Sequence, residues 1–178
     1  MGYEVAGGLG VKLAAPDREV YVMVGDGSWL MMSSEIVTSI QEGVKLIVVL
    51  VDNHGFASIG GLSESLGSGG FGTAYRYRRQ GEPDLLGDHL PVDFAANAES
   101  LGAVARRATT IGELKAALAE AKRQSRTIVI TIETDRNARV GSFETWWDVP
   151  VAETGEQPSV RDARERHEEN RTRERWHG

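Results

Sequence analysis

The sequence contains no cysteine. Disulfides, zinc–thiolate sites and cysteine nucleophiles are thereby excluded. It has no apolar run approaching the roughly 18 residues that read as a membrane span. Its opening residues, Met1-Gly2-Tyr3-Glu4, lack the basic stretch and apolar core of a signal peptide. Ala6 stands where a myristoylation pattern needs Ser or Thr. The chain also lacks an excess of positive charge. It carries 20 Lys and Arg against 26 Asp and Glu, a formal charge of -6. A general nucleic-acid binder is normally basic, so this balance argues against one. The expectation is a cytoplasmic protein with no nucleic-acid and no membrane partner.

What is present suits a folded domain. The 178 residues fall in the size range of one domain, and 40% are hydrophobic, enough for a real core. Residues 3–15 are small and glycine-rich and predict a tightly packed helix ended by Pro16-Asp17. Val20 to Val24 and Leu46 to Val51 are short apolar runs rich in β-branched residues, as in strands buried on both faces. Between them, Leu30, Ile36, Val37 and Ile40 predict one helix over 30–42. The glycine- and serine-rich stretch 55–73 reads as a long loop, and 75–90 as irregular. A helix over 94–101, a strand over 103–108, an amphipathic helix over 111–123 and a strand over 127–132 follow. Strands alternating with helices indicate an α/β fold, a parallel sheet flanked by helices. The chemistry divides it into an α/β domain over 1–135 and a C-terminal extension over 136–178. No internal repeat is visible.

The informative constellation is Gly25-Asp26-Gly27 with Asp52-Asn53, each at the carboxyl end of an expected strand. A right-handed parallel crossover returns the chain to the same sheet edge, so Asp26 and Asn53 can be neighbours. Ligands of open α/β sheets bind at that edge. Asp26 offers a carboxylate and Asn53 an amide oxygen, both hard donors of the kind magnesium takes alongside phosphate and water. Gly25 and Gly27 allow a sharp turn and a close backbone approach. A helix beginning near Ser28 would direct free N–H groups at an anion. A magnesium-bridged diphosphate satisfies all of these features. A lone Gly-Asp-Gly is usually only a turn; the downstream Asn53 and the two strand contexts separate this one from that reading.

Gly25-Asp26-Gly27-Ser28 followed by Asp52-Asn53 resembles the thiamine-diphosphate motif of the decarboxylase and acetolactate-synthase superfamily. The resemblance implies a diphosphate-type domain, with thiamine diphosphate and Mg2+ as cofactors. It implies Asp26, Asn53 and Gly55 as metal ligands, and Gly25, Asp26, Gly27, Ser28, Asn53, Gly55 and Phe56 as cofactor-binding residues. Family members often carry two asparagines at the second position; Asp52 replaces the first, and the matching metal ligand is the second. Within the superfamily, the wider chain resembles the trihydroxycyclohexanedione acylhydrolases of myo-inositol catabolism. The segments concerned are Met1 to Gly8, Val51 to Phe56, Phe71-Gly72-Thr73, Asn97 to Gly102 and Trp146 to Glu153. The implied reaction is hydrolytic opening of a cyclic 1,2-dione at a C–C bond. The family's activating glutamate comes from a separate pyrimidine-binding domain, usually across a subunit interface. Only the later part of the C-terminal domain is matched. The expectation is therefore a domain incomplete at its N-terminus, active only with the missing domain from another chain or region, in a homo-oligomer acting on a small molecule. A carboligase or decarboxylase fragment and a non-catalytic cofactor-binding remnant are the alternatives.

Other features admit bland readings beside functional ones. Gly7-Gly8-Leu9-Gly10 lacks the second spacing of a dinucleotide fingerprint and precedes a strand, so it reads as close helix packing. His54 is either a solvent-facing loop residue or a substrate contact. The Gly60–Gly72 stretch is either a closing loop or a disordered one. Glu35 reads as solvated or structural. Trp146 and Trp147 read as docking the tail onto the domain, with a substrate mouth as the other reading. The run from Arg161 to Arg175 reads as an exposed helix carrying mixed ion pairs.

Overall fold

A computed structural model describes residues 1–138, 140–141 and 149–175. Trp146 and Trp147 lie outside the described residues. The chain forms two compact units. One comprises Met1–Phe56 and His89–Ala138; the other comprises Ala57–Asp88 and the described residues beyond 138.

The first unit is built on a four-stranded parallel sheet of order β1-β2-β4-β3. Its strands are β1 (Tyr21–Gly25), β2 (Ile47–Asp52), β3 (Val104–Ala108) and β4 (Ile128–Glu133). The helices are α1 (Glu4–Ala14), α2 (Asp26–Met31), α3 (Glu35–Gln41), α5 (Phe94–Ser100) and α6 (Ile111–Arg123); α4 (Ala57–Ser65) belongs to the second unit. The central strands β2 and β4 supply Ile47, Val48, Leu50, Ile128, Val129 and Ile130, all fully buried. Both faces of these strands are apolar because both are covered, as a doubly flanked parallel sheet requires.

Register sorts the two faces. Val22, Val48 and Val129 share one face, while Tyr21, Ile47 and Ile128 share the other. Helix α6 covers the second face, burying Ala117 and Ala121 against Ile47, Ile128 and Ile130, with Leu114 and Leu118 at the margin. Thr110 caps it by accepting from the Glu113 N–H at 3.1 Å, and Glu113 returns a bond from the Thr109 N–H at 2.7 Å. Such reciprocal capping satisfies N–H groups that a helix start leaves unpaired. Helix α1 lies over Val22: a β-carbon on Gly8 would stand 2.3 Å from the Val22 side chain. The close helix packing expected of this glycine run is therefore observed. The Tyr21 face of β1 is left open, with Met23 74% exposed.

Three expectations need correction in this unit and the next. The single helix over 30–42 is two helices, α2 and α3, separated at Met32–Ser34, and α2 begins at Asp26 itself. Trp29, fully buried, anchors α2 by donating from Nε1 to Asn97 Oδ1 at 2.8 Å. The supposed long loop over 55–73 contains α4 (Ala57–Ser65) in the second unit. Glycine and serine weaken a helix intrinsically, but packing overrides propensity, and Gly60 is buried.

In the second unit α7 (Pro158–Arg171) packs Val160 and Ala163 against Val151, with Leu66 alongside. The charged tail is thus a helix with one buried face, including His167, and is not simply exposed. Its outer face does carry mixed ion pairs, Arg164 with Glu168 one turn on and with Glu153 at 3.8 Å. Gly67, at φ 86, lies so close to the Ser159 carbonyl that a β-carbon would stand 2.3 Å away.

Candidate cofactor and metal site

The turn after β1 places Gly25 as the extended N-cap of α2, and Asp26, Gly27 and Ser28 fill the first helical positions. Adjacent parallel pairing of β1 with β2 brings the turn after β2 beside it, with Gly25 in register with Val51. Asp26 is 0% exposed. Its Oδ2 accepts from the Gly55 N–H at 2.7 Å, which ties the two turns together. Its Oδ1 is buried and has no hydrogen-bond partner among the described residues, and the same holds for Asn53 Oδ1. Burial first, and then the neighbouring Asp52 charge, push the Asp26 carboxyl up to about 6, against hydrogen bonds from Gly55 and Gly27. A buried carboxylate in this condition calls for a positive charge.

Gly27 is required by space. A β-carbon on it would stand 2.5 Å from the Phe56 ring. Phe56 therefore closes over the first turn of α2, and the two cofactor residues named from the sequence meet directly. Gly55, at φ 149, and His54, at φ 58, give the second turn its shape. Ser28 is nearly buried and faces the Glu4 carboxylate at the start of α1, whose Oε2 is also buried without a hydrogen-bond partner among the described residues.

All seven residues named from the sequence, Gly25, Asp26, Gly27, Ser28, Asn53, Gly55 and Phe56, lie on these two turns at the carboxyl ends of neighbouring strands. Sequence reasoning missed Glu4, whose contact with Ser28 links distant segments. It also missed the surroundings of His54. That ring bonds Glu133 Oε1 through Nε2 at 2.8 Å and stacks on His89 with centroids 4.5 Å apart. Nothing local marks the Glu133 contact, since it depends on which strand lies beside β2.

The donor set suits a hard cation. Among the described residues no group of three His, Cys, Asp or Glu side chains could hold a metal ion. One carboxylate and one amide oxygen, each short of a partner, instead match a cation that draws its remaining ligands from backbone, phosphate and water. Magnesium with a diphosphate fits that description.

A parallel α/β domain with buried oxygen donors at adjacent strand ends defines a class of cofactor-binding domains. Residues 1–132 match the family described as "Thiamine pyrophosphate enzyme, C-terminal TPP binding domain". The chain belongs to that family. It is 46% identical over 165 residues to "3D-(3,5/4)-trihydroxycyclohexane-1,2-dione hydrolase" of Bacillus cereus (strain AH820), covering 93% of this chain and 26% of that protein. It shows the same identity and coverage to the hydrolase of that name from Bacillus anthracis (strain A0248). The chain thus spans about a quarter of the length of these curated relatives. In fold it is similar to the thiamine diphosphate-dependent 4-hydroxybenzoylformate decarboxylase of Rhodococcus jostii RHA1. The TM-score is 0.61 at 23% identity, over 76% of this chain and 23% of that one. Benzoylformate decarboxylase from Polynucleobacter necessarius gives a TM-score of 0.58 at 24% identity, with the same coverage. At these identities the likeness concerns the fold alone.

Proposed function

We propose that this chain is the magnesium- and diphosphate-holding part of a thiamine-diphosphate-dependent hydrolase that opens the ring of trihydroxycyclohexane-1,2-dione in myo-inositol catabolism. The observation that carries the cofactor reading is the pair of buried, partnerless oxygens, Asp26 Oδ1 and Asn53 Oδ1, on adjoining turns. The substrate follows from the names of relatives 46% identical over nearly the whole chain.

In this reading Asp26, Asn53 and the Gly55 carbonyl hold the magnesium. Gly25, Gly27 and Ser28 receive the diphosphate, and Phe56 walls the turn. When bound, the cofactor supplies the electron sink for breaking a C–C bond next to a carbonyl. The chain's own residues bind and orient it. The activating glutamate belongs to a pyrimidine-binding domain outside these residues, so turnover requires that domain, in a homo-oligomer.

Calorimetric titration of the purified chain with thiamine diphosphate, with and without magnesium, tests the cofactor half. Binding should require magnesium and should weaken at least about a hundredfold in Asp26→Ala, which removes a direct ligand of a divalent ion. A well-folded chain that binds no cofactor in magnesium would sink the reading. The substrate half is tested by supplying the missing domain and offering the ring dione beside pyruvate; consumption of pyruvate alone would assign a carboligase instead.

A further inference from the structure

His54 occupies the left-handed region at φ 58, and among the described residues it is the one non-glycine that does so. That region is unfavourable for a residue with a β-carbon. Such a conformation persists where the surroundings over-determine it. Four contacts surround this one. The His54 N–H donates to Asp52 Oδ1 at 2.9 Å, Nε2 bonds Glu133 Oε1 at 2.8 Å, the ring stacks on His89, and Nδ1 lies 3.6 Å from Asp52 Oδ1.

The placement of the second contact is the informative one. Asp52 ends β2, Glu133 ends β4, and the two are paired in register. The His54–Glu133 bond therefore ties the turn to the neighbouring central strand. His54 itself sits between Asn53 and Gly55, the two proposed metal ligands of that turn. Beyond His54, the Gly55 N–H reaches Asp26 Oδ2.

We propose that the His54–Glu133 bridge is a positioning device. It pins the turn between Asn53 and Gly55 in its left-handed form, so that the ligands on either side are set before the metal arrives. His54 then acts neither as a metal ligand nor as an acid–base group. This inference rests on the magnesium–diphosphate reading.

The test is calorimetric titration of thiamine diphosphate and magnesium into the full chain and into Glu133→Ala, Glu133→Gln and His54→Asn. Thermal unfolding of each ligand-free protein accompanies it. Asparagine tolerates the left-handed region but is too short to reach Glu133. Glutamine keeps an oxygen that can accept from Nε2. Outer-shell partners commonly cost ten- to a hundredfold in metal affinity. The Glu133 side chain is 71% exposed, and exposed pairs are weakened by solvent. A loss of about three- to tenfold is therefore expected in Glu133→Ala and His54→Asn, with near-wild-type affinity in Glu133→Gln. Ligand-free unfolding temperatures should stay close together. If the unaltered chain binds and both disrupting variants bind equally well, the bridge does not position the site, and the cofactor reading stands. Glutamine failing as badly as alanine would show that charge alone matters and would overturn the bridge. So would affinity falling only in step with ligand-free stability. If the unaltered chain does not bind, the cofactor reading falls and the bridge falls with it.

Discussion

Two buried polar clusters occupy opposite ends of the same sheet. At the amino ends, Thr127 and Ser39 are both 0% exposed. Thr127 Oγ1 meets Ser39 Oγ at 2.9 Å, accepts from the Leu46 N–H at 3.0 Å and reaches the Val44 carbonyl at 3.2 Å. At the carboxyl ends, Asp26 and Asn53 each keep one buried oxygen without a partner among the described residues. The first cluster is closed and needs nothing more. The second is polar, buried and incomplete. Since buried polar groups in native structures are almost always satisfied, the contrast marks one cluster as architecture and the other as a place for a ligand.

Breaking the closed cluster should have the larger effect on stability. Thr127→Val keeps the volume but strands the Leu46 N–H. A loss of about 2 kcal/mol is expected by urea unfolding, with magnesium-dependent cofactor affinity unchanged. Reduced affinity at unchanged stability would erase the distinction between the two ends.

The open cluster should respond to pH with a smaller effect. The Asp26 carboxyl is raised from its ordinary 3.8 to about 6 in the folded, ligand-free chain. The folded state then holds its proton more tightly than the unfolded state. The resulting stability is fully present below about pH 4 and is lost as pH rises through about 6. A decline of about 1–2 kcal/mol across that window is expected. It should be read from urea midpoints and should flatten in Asp26→Asn. Saturating magnesium and cofactor, which favour the carboxylate, should reverse the slope. A ligand-free protein whose stability is level from pH 4 to 7 would contradict the electrostatic account.

The smallest effect belongs to the exposed Tyr21 and Met23 side of β1. Met23→Glu on that exposed position should alter stability by no more than about 0.5 kcal/mol. Light scattering should nevertheless show less self-association, because charge on an edge strand discourages pairing with another chain. A monodisperse monomer of the unaltered chain at micromolar concentration would remove the reason for that change.

Much of the first unit was legible because its signals are local. The apolar runs around Val22 and Val48 stand out, and so does the face of Leu114, Ala117, Leu118 and Ala121. Asp26 and Asn53 could be placed together because consecutive parallel strands commonly pair. Helix α4 was hidden because Gly60, Gly61 and its serines favour a loop, and only burial decides otherwise. The inner face of α7 was hidden by charge: Val160, Ala163 and His167 are spaced for one side of a helix, but the residues around them are mostly charged or polar. The His54–Glu133 bond was beyond reach because it requires knowing that β4, the last strand among the described residues, lies beside β2. The tryptophan pair at 146–147 remains an expectation outside the described residues.

That strand order also governs how the protein can be made. During synthesis β1 and β2 emerge first and β3 follows, yet β3 has no partner until β4 arrives between it and β2. The nascent chain must therefore carry the apolar flank of Ile47–Asp52 unsealed while most of the remaining first unit leaves the ribosome. The sheet can close only when Ile128–Glu133 slots into its middle. Distant pairings of this kind fold slowly and expose sticky intermediates. The stretch that completes the core is thus also the one whose delay leaves the newborn chain most dependent on chaperones.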